Sequence, residues 1–323
     1  MKVLVTGAGG FIGSHVAEQL ACSGYEVRAL SRQVPISLIG KEIEIRKGDI
    51  AVDAHLEDVI QGVDAIIHSA ALLAARTYSK ETIFRINYES TVKLLQIALR
   101  NGVKKIVHLS TGGVLGDIKN PPADETAAYH PEDLYEESKM LAEQKVLEYA
   151  SLSLSTVVVR PTWSYGERDK RVFKLVKQIK TKRFMKIGKC SNVQHPVYIS
   201  DLVAGIILAL EKGKSGSVYF IGGNEIIKTS EIIDTIASLV SVKLFPFTVP
   251  IFPMKIAALI MDKIYGKLNK EAPFSIAKLG FFIKSRAFSI KKAQSELGYE
   301  PQISFIDGMK KTIQWYQQQH WLL

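Results

Sequence analysis

The amino-acid sequence predicts an α/β fold: a doubly wound parallel sheet with a smaller, mainly helical C-terminal lobe. Short apolar runs alternate with amphipathic stretches through the first half of the 323-residue chain. That is the rhythm of a parallel sheet with helices on both faces. It opens at residue 2 with strand, glycine-rich turn and helix, and after Pro161 it loosens into mainly helical segments.

The first strand, residues 2–5, leads into Gly7, Gly10 and Gly13 and an amphipathic stretch at 11–23. A turn of this kind presents backbone N–H groups and a helix N-terminus to a pyrophosphate. Its spacing is Gly-x-x-Gly-x-x-Gly, and a turn that serves tight packing alone can look the same. Further strands are expected at 26–30, 43–46, 65–68, 105–109 and 156–159, with helices at 56–61, 81–100 and 134–150. Ligands of such sheets bind beyond the carboxyl ends of the strands, where the glycine turn lies. Beyond residue 161 we expect a basic helix, strands at 197–199 and 217–221, and helices at 201–212, 230–239, 255–268 and 305–318. The chain divides into a dinucleotide-binding domain over 1–165, with returning strand segments near 194–222, and a substrate-binding lobe over 166–323.

Composition narrows the classes. A hydrophobic content of 47% is ample for a core. Residue 2 is followed at once by strand residues, so no leader is expected. Cys22 and Cys190 are too few for a disulfide framework, which fits a reducing, cytoplasmic setting. The seven histidines are scattered, so no metal site is expected. The net charge of +10 is concentrated at 170–189, with nine Lys/Arg and no acidic residue. That stretch reads first as a solvated helix face. Its second reading is a surface for an anionic membrane leaflet or a phosphate-bearing ligand. No nucleic-acid motif accompanies it. Residues 245–261 are apolar but carry three prolines and Lys255, too broken for a membrane span. A loop and helix covering an apolar substrate pocket is the first reading there, and peripheral membrane contact the second.

The chemistry centres on Tyr135 and Lys139, one turn apart on the helix expected at 134–150. An ammonium beside a phenol favours the phenolate and lowers a pKa that otherwise lies near 10. Among 12 tyrosines, chance alone allows about one such pair. Position has to carry the inference.

Position does so through an ordered set of motifs. These are Thr6 to Gly13, Gly48-Asp49-Ile50, His68-Ser69-Ala70-Ala71, Asn87, Ser110-Thr111 with Val114-Leu115-Gly116, Tyr135 to Lys139, Arg160 to Gly166, Val197 to Asp201 and Leu297 to Pro301. In this order they resemble the extended short-chain dehydrogenase/reductase family, within the epimerase/dehydratase superfamily, over nearly the whole chain. The resemblance implies a Rossmann domain with a substrate lobe. It implies Tyr135 as general acid/base, and Lys139 binding the nicotinamide ribose while lowering the Tyr135 pKa. Thr111 would hydrogen-bond the reacting oxygen, and Asn87 would hold a water in the proton relay. Gly7, Gly10, Phe11, Ile12 and Gly13 would hold the cofactor diphosphate, and Asp49 and Ile50 its adenine. Ser69, Ala70 and Ala71 would pass under its phosphates and ribose, with Pro161 beside the nicotinamide. A homodimer through helices of the first lobe is common in that family.

Members preferring NAD carry an acidic residue at the end of the second strand. Here Ser31 and Arg32 stand there, and they suit a 2′-phosphate. NADP(H) is therefore expected ahead of NAD(H). Leu115, Trp163 and Gln194 replace polar residues with which nucleotide-sugar members hold their substrate. That favours a small-molecule substrate that is fairly apolar, as in the dihydroflavonol reductase and 3β-hydroxysteroid dehydrogenase branch, with Leu115 and Trp163 at its site. The expected reaction is reversible hydride transfer between the nicotinamide and a secondary alcohol or ketone. A nucleotide-sugar epimerase or dehydratase with retained NAD is the alternative. A non-catalytic cofactor-sensing protein comes third.

Overall fold

In a computed structural model, residues 1–73, 78–150, 153–268, 272 and 274–322 are described. The first half alternates strand and helix: β1 (Lys2–Thr6), α1 (Phe11–Cys22), β2 (Glu26–Ser31), β3 (Ile43–Lys47), α2 (Asp53–Ile60), β4 (Ala65–His68), α3 (Lys80–Phe84), α4 (Ser90–Arg100), β5 (Lys105–Leu109), α5 (Leu134–Tyr149) and β6 (Ser155–Pro161). Short strands follow at β7 (Trp163–Tyr165), β8 (Lys186–Ile187), β9 (Val193–Gln194) and β10 (Pro196–Tyr198), with α6 (Lys170–Lys180) between β7 and β8 and α7 (Ile199–Lys212) after β10. The remainder is β11 (Ser217–Ile221), β12 (Ile227–Lys228), α8 (Thr229–Leu239), β13 (Thr248–Val249), α9 (Ile251–Lys267), α10 (Ile276–Ile283), α11 (Lys291–Leu297) and α12 (Phe305–Gln318).

Seven strands form one sheet in the order β11-β6-β5-β4-β1-β2-β3, all pairs parallel. Successive strand residues point to opposite faces, and two cores result. Val3, Val5, Ile67, Val107 and Val159 pack with Val16 and Leu20 of α1 and Leu202 and Ile206 of α7. Leu4, Ile66, Ile106 and Val158 pack with Leu56, Leu94 and Val146 from α2, α4 and α5. The strand order reverses between β1 and β4, which opens a crevice at their carboxyl ends. β11 returns from the C-terminal half to pair with β6, Ser217 opposite Val157.

Two local differences from the sequence reading matter. The helix expected over 81–100 is interrupted by a π turn at Arg85–Glu89, where one extra residue re-aims Asn87. α10 and α11 were not expected; each is short, and the eight residues of α10 read equally well as a strand or a buried helix.

Candidate active site

A cavity of about 880 Å³ lies over the crevice between β1 and β4, lined among others by Gly7, Gly10, Ser31, Arg32, Asp49 and Ser69. Ile50, Ala70 and Ala71 also line it. Gly10 caps α1 with no side-chain bond and the first turn has no acidic residue, so its amide groups face the cavity side without a carboxylate to compete. The glycines are required by close approach. A Cβ on Gly7, where φ is +70°, would stand 2.7 Å from the backbone of Ala70, and one on Gly13 would stand 2.4 Å from the Gly7 carbonyl oxygen. A Cβ on Gly9 would meet the Ser31 hydroxyl at 2.4 Å. The turn therefore touches both the β4 loop and the end of β2. Such a cradle of open amides, with a basic residue at its far end, fits a dinucleotide. Lys170, at the start of α6, also lines it; its place in a basic run masked this role in the sequence.

The cavity does not extend to Tyr135 or Lys139; they stand further along, on α5, which is capped by Asp133 accepting from the Glu136 N–H at 2.8 Å. Lys139 is buried, and its Nζ lies 3.1 Å from His108 Nε2. His108 on β5 is opposite His68 on β4, with ring centroids 5.3 Å apart. His68 bridges Thr6 Oγ1 at 2.7 Å and Thr91 Oγ1 at 2.9 Å. Burial lowers the pKa of Lys139 to about 7 and that of His68 to about 3. His108 is lowered well below the ordinary value by burial and by the Lys139 charge. Tyr135, partly exposed, is pushed up to about 12 by its crowded surroundings, against the pull of the Arg171 guanidinium. Lys139 was expected to lower the Tyr135 pKa. In the chain alone burial wins, and Arg171 is the opposing cation.

Thr111 caps the 3-10 turn Gly112–Leu115 by accepting from the Gly113 N–H at 3.1 Å, which leaves its own hydroxyl proton to donate. Asn87 is fully buried and its amide is engaged. Its Oδ1 accepts from the Leu72 N–H at 2.7 Å, and its Nδ2 donates to the Leu72 carbonyl and to Ser138 Oγ, each at 3.0 Å. Both amide protons are thus taken by protein. The side chain expected to hold a water instead ties the β4 loop to α5 beside Lys139.

One turn beyond Lys139, Glu143 forms a buried ion pair with Arg160 of β6 at 2.6 Å and accepts from the Tyr129 hydroxyl at 2.9 Å. The guanidinium lies 5.2 Å from the ring centres of both Tyr129 and Phe220. At its other end α5 is held by Arg286, 2.6 Å from Glu136. These anchors escaped the sequence reading because their partners are distant in the chain.

On the expected substrate side, Trp163 is half-buried among Tyr165, Phe281 and Phe305, with ring centroids 5.8 to 6.3 Å apart. Leu115, expected to line the substrate site, is buried in a small cluster with Ile118, Phe220 and Phe288. Gln194 is buried and donates to the carbonyl of Lys284 at 2.9 Å. The apolar segment 245–261 was expected to cover a pocket. Its large side chains point outward instead, with Phe247 80% exposed. The basic helix α6 behaves as a solvated face, burying Val172, Val176 and Ile179 and exposing Lys174, Lys177 and Lys180.

The model of the NAD dependent epimerase/dehydratase family matches residues 3–222. The chain is 26% identical over 321 residues to the 4-hydroxy-2-methyl-3-oxo-4-farnesyl-3,4-dihydroquinoline-1-oxide ketoreductase of Stigmatella aurantiaca, covering 96% of this chain and 95% of that one. It is 25% identical to the human decarboxylating sterol-4-alpha-carboxylate 3-dehydrogenase, covering 97% and 87%. Among solved structures, dTDP-glucose 4,6-dehydratase from Streptomyces venezuelae with NAD bound superposes with a TM-score of 0.78, at 26% identity over 99% of this chain and 98% of that one. UDP-glucose 4-epimerase from Thermotoga maritima shares the fold, with a TM-score of 0.82 at 23% identity over 99% and 100%.

Proposed function

Because this chain belongs to the NAD dependent epimerase/dehydratase family, we propose that it is a nicotinamide-dependent dehydrogenase/reductase interconverting a secondary alcohol and a ketone on a fairly apolar substrate, with NADP(H) preferred over NAD(H). A bound nicotinamide supplies the hydride acceptor or donor. Tyr135 holds a proton on its hydroxyl near neutral pH, since its pKa is raised, and can deliver it to an alkoxide forming beside it. Thr111 donates its free hydroxyl proton to the same oxygen and helps to localise its charge. Lys139 supplies a cation at the foot of the site when protonated, which favours the phenolate in the oxidising direction.

Gln194 carries the choice of an apolar substrate. Its amide is committed to a backbone carbonyl of its own chain and offers no cation for a diphosphate. Two relatives are named for a farnesylated quinoline and a sterol, in keeping with that reading. Ser31 and Arg32 at the rim of the cavity support NADP(H).

The test is NADPH oxidation with a panel of apolar ketones, using the wild type and Tyr135→Phe. The variant should bind NADPH as the wild type does and lose nearly all turnover; full turnover would sink the assignment. Lys170 at the cavity keeps a nucleotide-sugar epimerase as the second reading. An epimerase would purify with cofactor retained and leave its oxidation state unchanged overall.

A further inference from the structure

The basic stretch and the proline-rich apolar segment, far apart in sequence, form one surface. β13 pairs in parallel with β8, Thr248 opposite Lys186, and the Gly188 N–H donates to the Val249 carbonyl at 2.8 Å. A Cβ on Gly188 would stand 2.7 Å from the Ile251 side chain, so α9 begins directly on the basic loop. Inward, Ala258 and Asp262 are buried, and Asp262 accepts from the Ile276 N–H at the start of α10. Outward, Phe252, Ile256, Leu259 and Ile260 are exposed, Phe252 by 74%. Phe245 and Phe247 protrude beside them, with Lys255 and Lys263 between. Lys180, Lys182, Arg183 and Lys189 are exposed on the adjoining stretch.

A helix face dominated by large apolar side chains is ordinarily buried, yet protein covers only the side of α9 that carries Ala258 and Asp262. Side chains this exposed protrude and form no socket, whereas a protein partner is typically held by anchors in packed pockets. Protruding rings and branched aliphatics, ringed by cations, match a fluid apolar phase under anionic headgroups. Lysine stems lie along that boundary while their ammonium groups reach the headgroups. No helix among the described residues is long and apolar enough to cross a membrane, so contact is with one leaflet. We propose that α9, with residues 245–249 and the basic loop 180–189, docks this protein on an anionic lipid bilayer. The surface is separate from the cofactor cavity, and the inference does not depend on the proposed reaction.

Co-sedimentation of the full chain with vesicles tests it, comparing pure phosphatidylcholine with an equimolar mixture of phosphatidylcholine and phosphatidylglycerol. Wild type should pellet with the anionic vesicles, weakly with the neutral ones, and less as salt rises. Phe247→Ser with Phe252→Ser should weaken partition at least about tenfold. Lys182→Gln with Arg183→Gln should weaken it roughly fivefold for each charge removed. All of these positions are exposed, and NADPH affinity of each variant serves as the control for folding. Wild type that ignores anionic vesicles overturns the proposal, as do variants that bind them unchanged. So does a lipid-free dimer that the two serine substitutions turn into monomer, because a second copy would then cover the face.

Discussion

Lys139 Nζ and His108 Nε2 stand 3.1 Å apart in the floor of the site, both buried, so the ammonium rests on a neutral imidazole rather than a carboxylate. The neutral acceptor satisfies one proton of the amine without compensating its charge, and burial, against the opposing pull of the Glu143 carboxylate, lowers the Lys139 pKa from 10.5 to about 7. Between those values the unfolded chain holds a proton that the folded chain lacks. This group therefore makes stability rise with pH across that window, and its penalty is full and constant below it. Lys139→Met should stabilise the cofactor-free fold by roughly a few kcal/mol at neutral pH. Its advantage should shrink toward pH 9 and vanish near pH 10.5. Urea melts of the two proteins across that range check the sign.

Asn87 joins Leu72 to Ser138 through three hydrogen bonds. Asn87→Leu keeps the volume and orphans those partners, at about 1–3 kcal/mol for each group left buried and unpaired. We expect a lower melting temperature together with reduced turnover, because the β4 loop and α5 lose their tie. Unchanged melting would show that the amide is not what holds them.

Glu143 and Arg160 are an ion pair with almost no solvent contact. Arg160→Met leaves the carboxylate buried with only the Tyr129 hydroxyl, at an expected cost of about 3–5 kcal/mol. The double change Arg160→Met with Glu143→Leu should recover much of that loss, since no charge then remains to be solvated. Thermal unfolding of the three variants checks it.

Gly13 has no room for a side chain, and the nearest obstacle is the Gly7 carbonyl, which cannot swing away as a side chain can. Gly13→Ala should open the turn and weaken NADPH binding roughly tenfold or more, about 1.4 kcal/mol. Titration followed by nucleotide fluorescence measures it, and wild-type affinity would remove the turn from the cofactor site.

The strands at 65–68 and 105–109 were legible to the residue, because their apolar runs are bounded by charged residues and turn signals. The Tyr135 and Lys139 pair was legible from helical spacing and position. His108 was not, since a histidine inside an apolar strand looks like any other core residue until β5 is laid beside α5. Leu115 was read as a substrate residue from its place in a motif, but side-chain direction within a 3-10 turn is not written in the motif. The outward face of 245–261 was misread for a similar reason: three prolines and an apolar run give no periodicity that tells inside from outside.

Sequence alone determined the parallel α/β sheet and the glycine turn at residues 7–13. Hydrophobic alternation and glycine geometry are local properties, and each is decided within a few residues. Only the tertiary structure decided what surrounds Tyr135 and Lys139. Burial, the His108 contact, the Arg171 field and the Asn87 tie all come from segments dozens of residues away. Only the tertiary structure joined the basic loop to α9, because one pair of backbone strands, β8 and β13, brings them edge to edge.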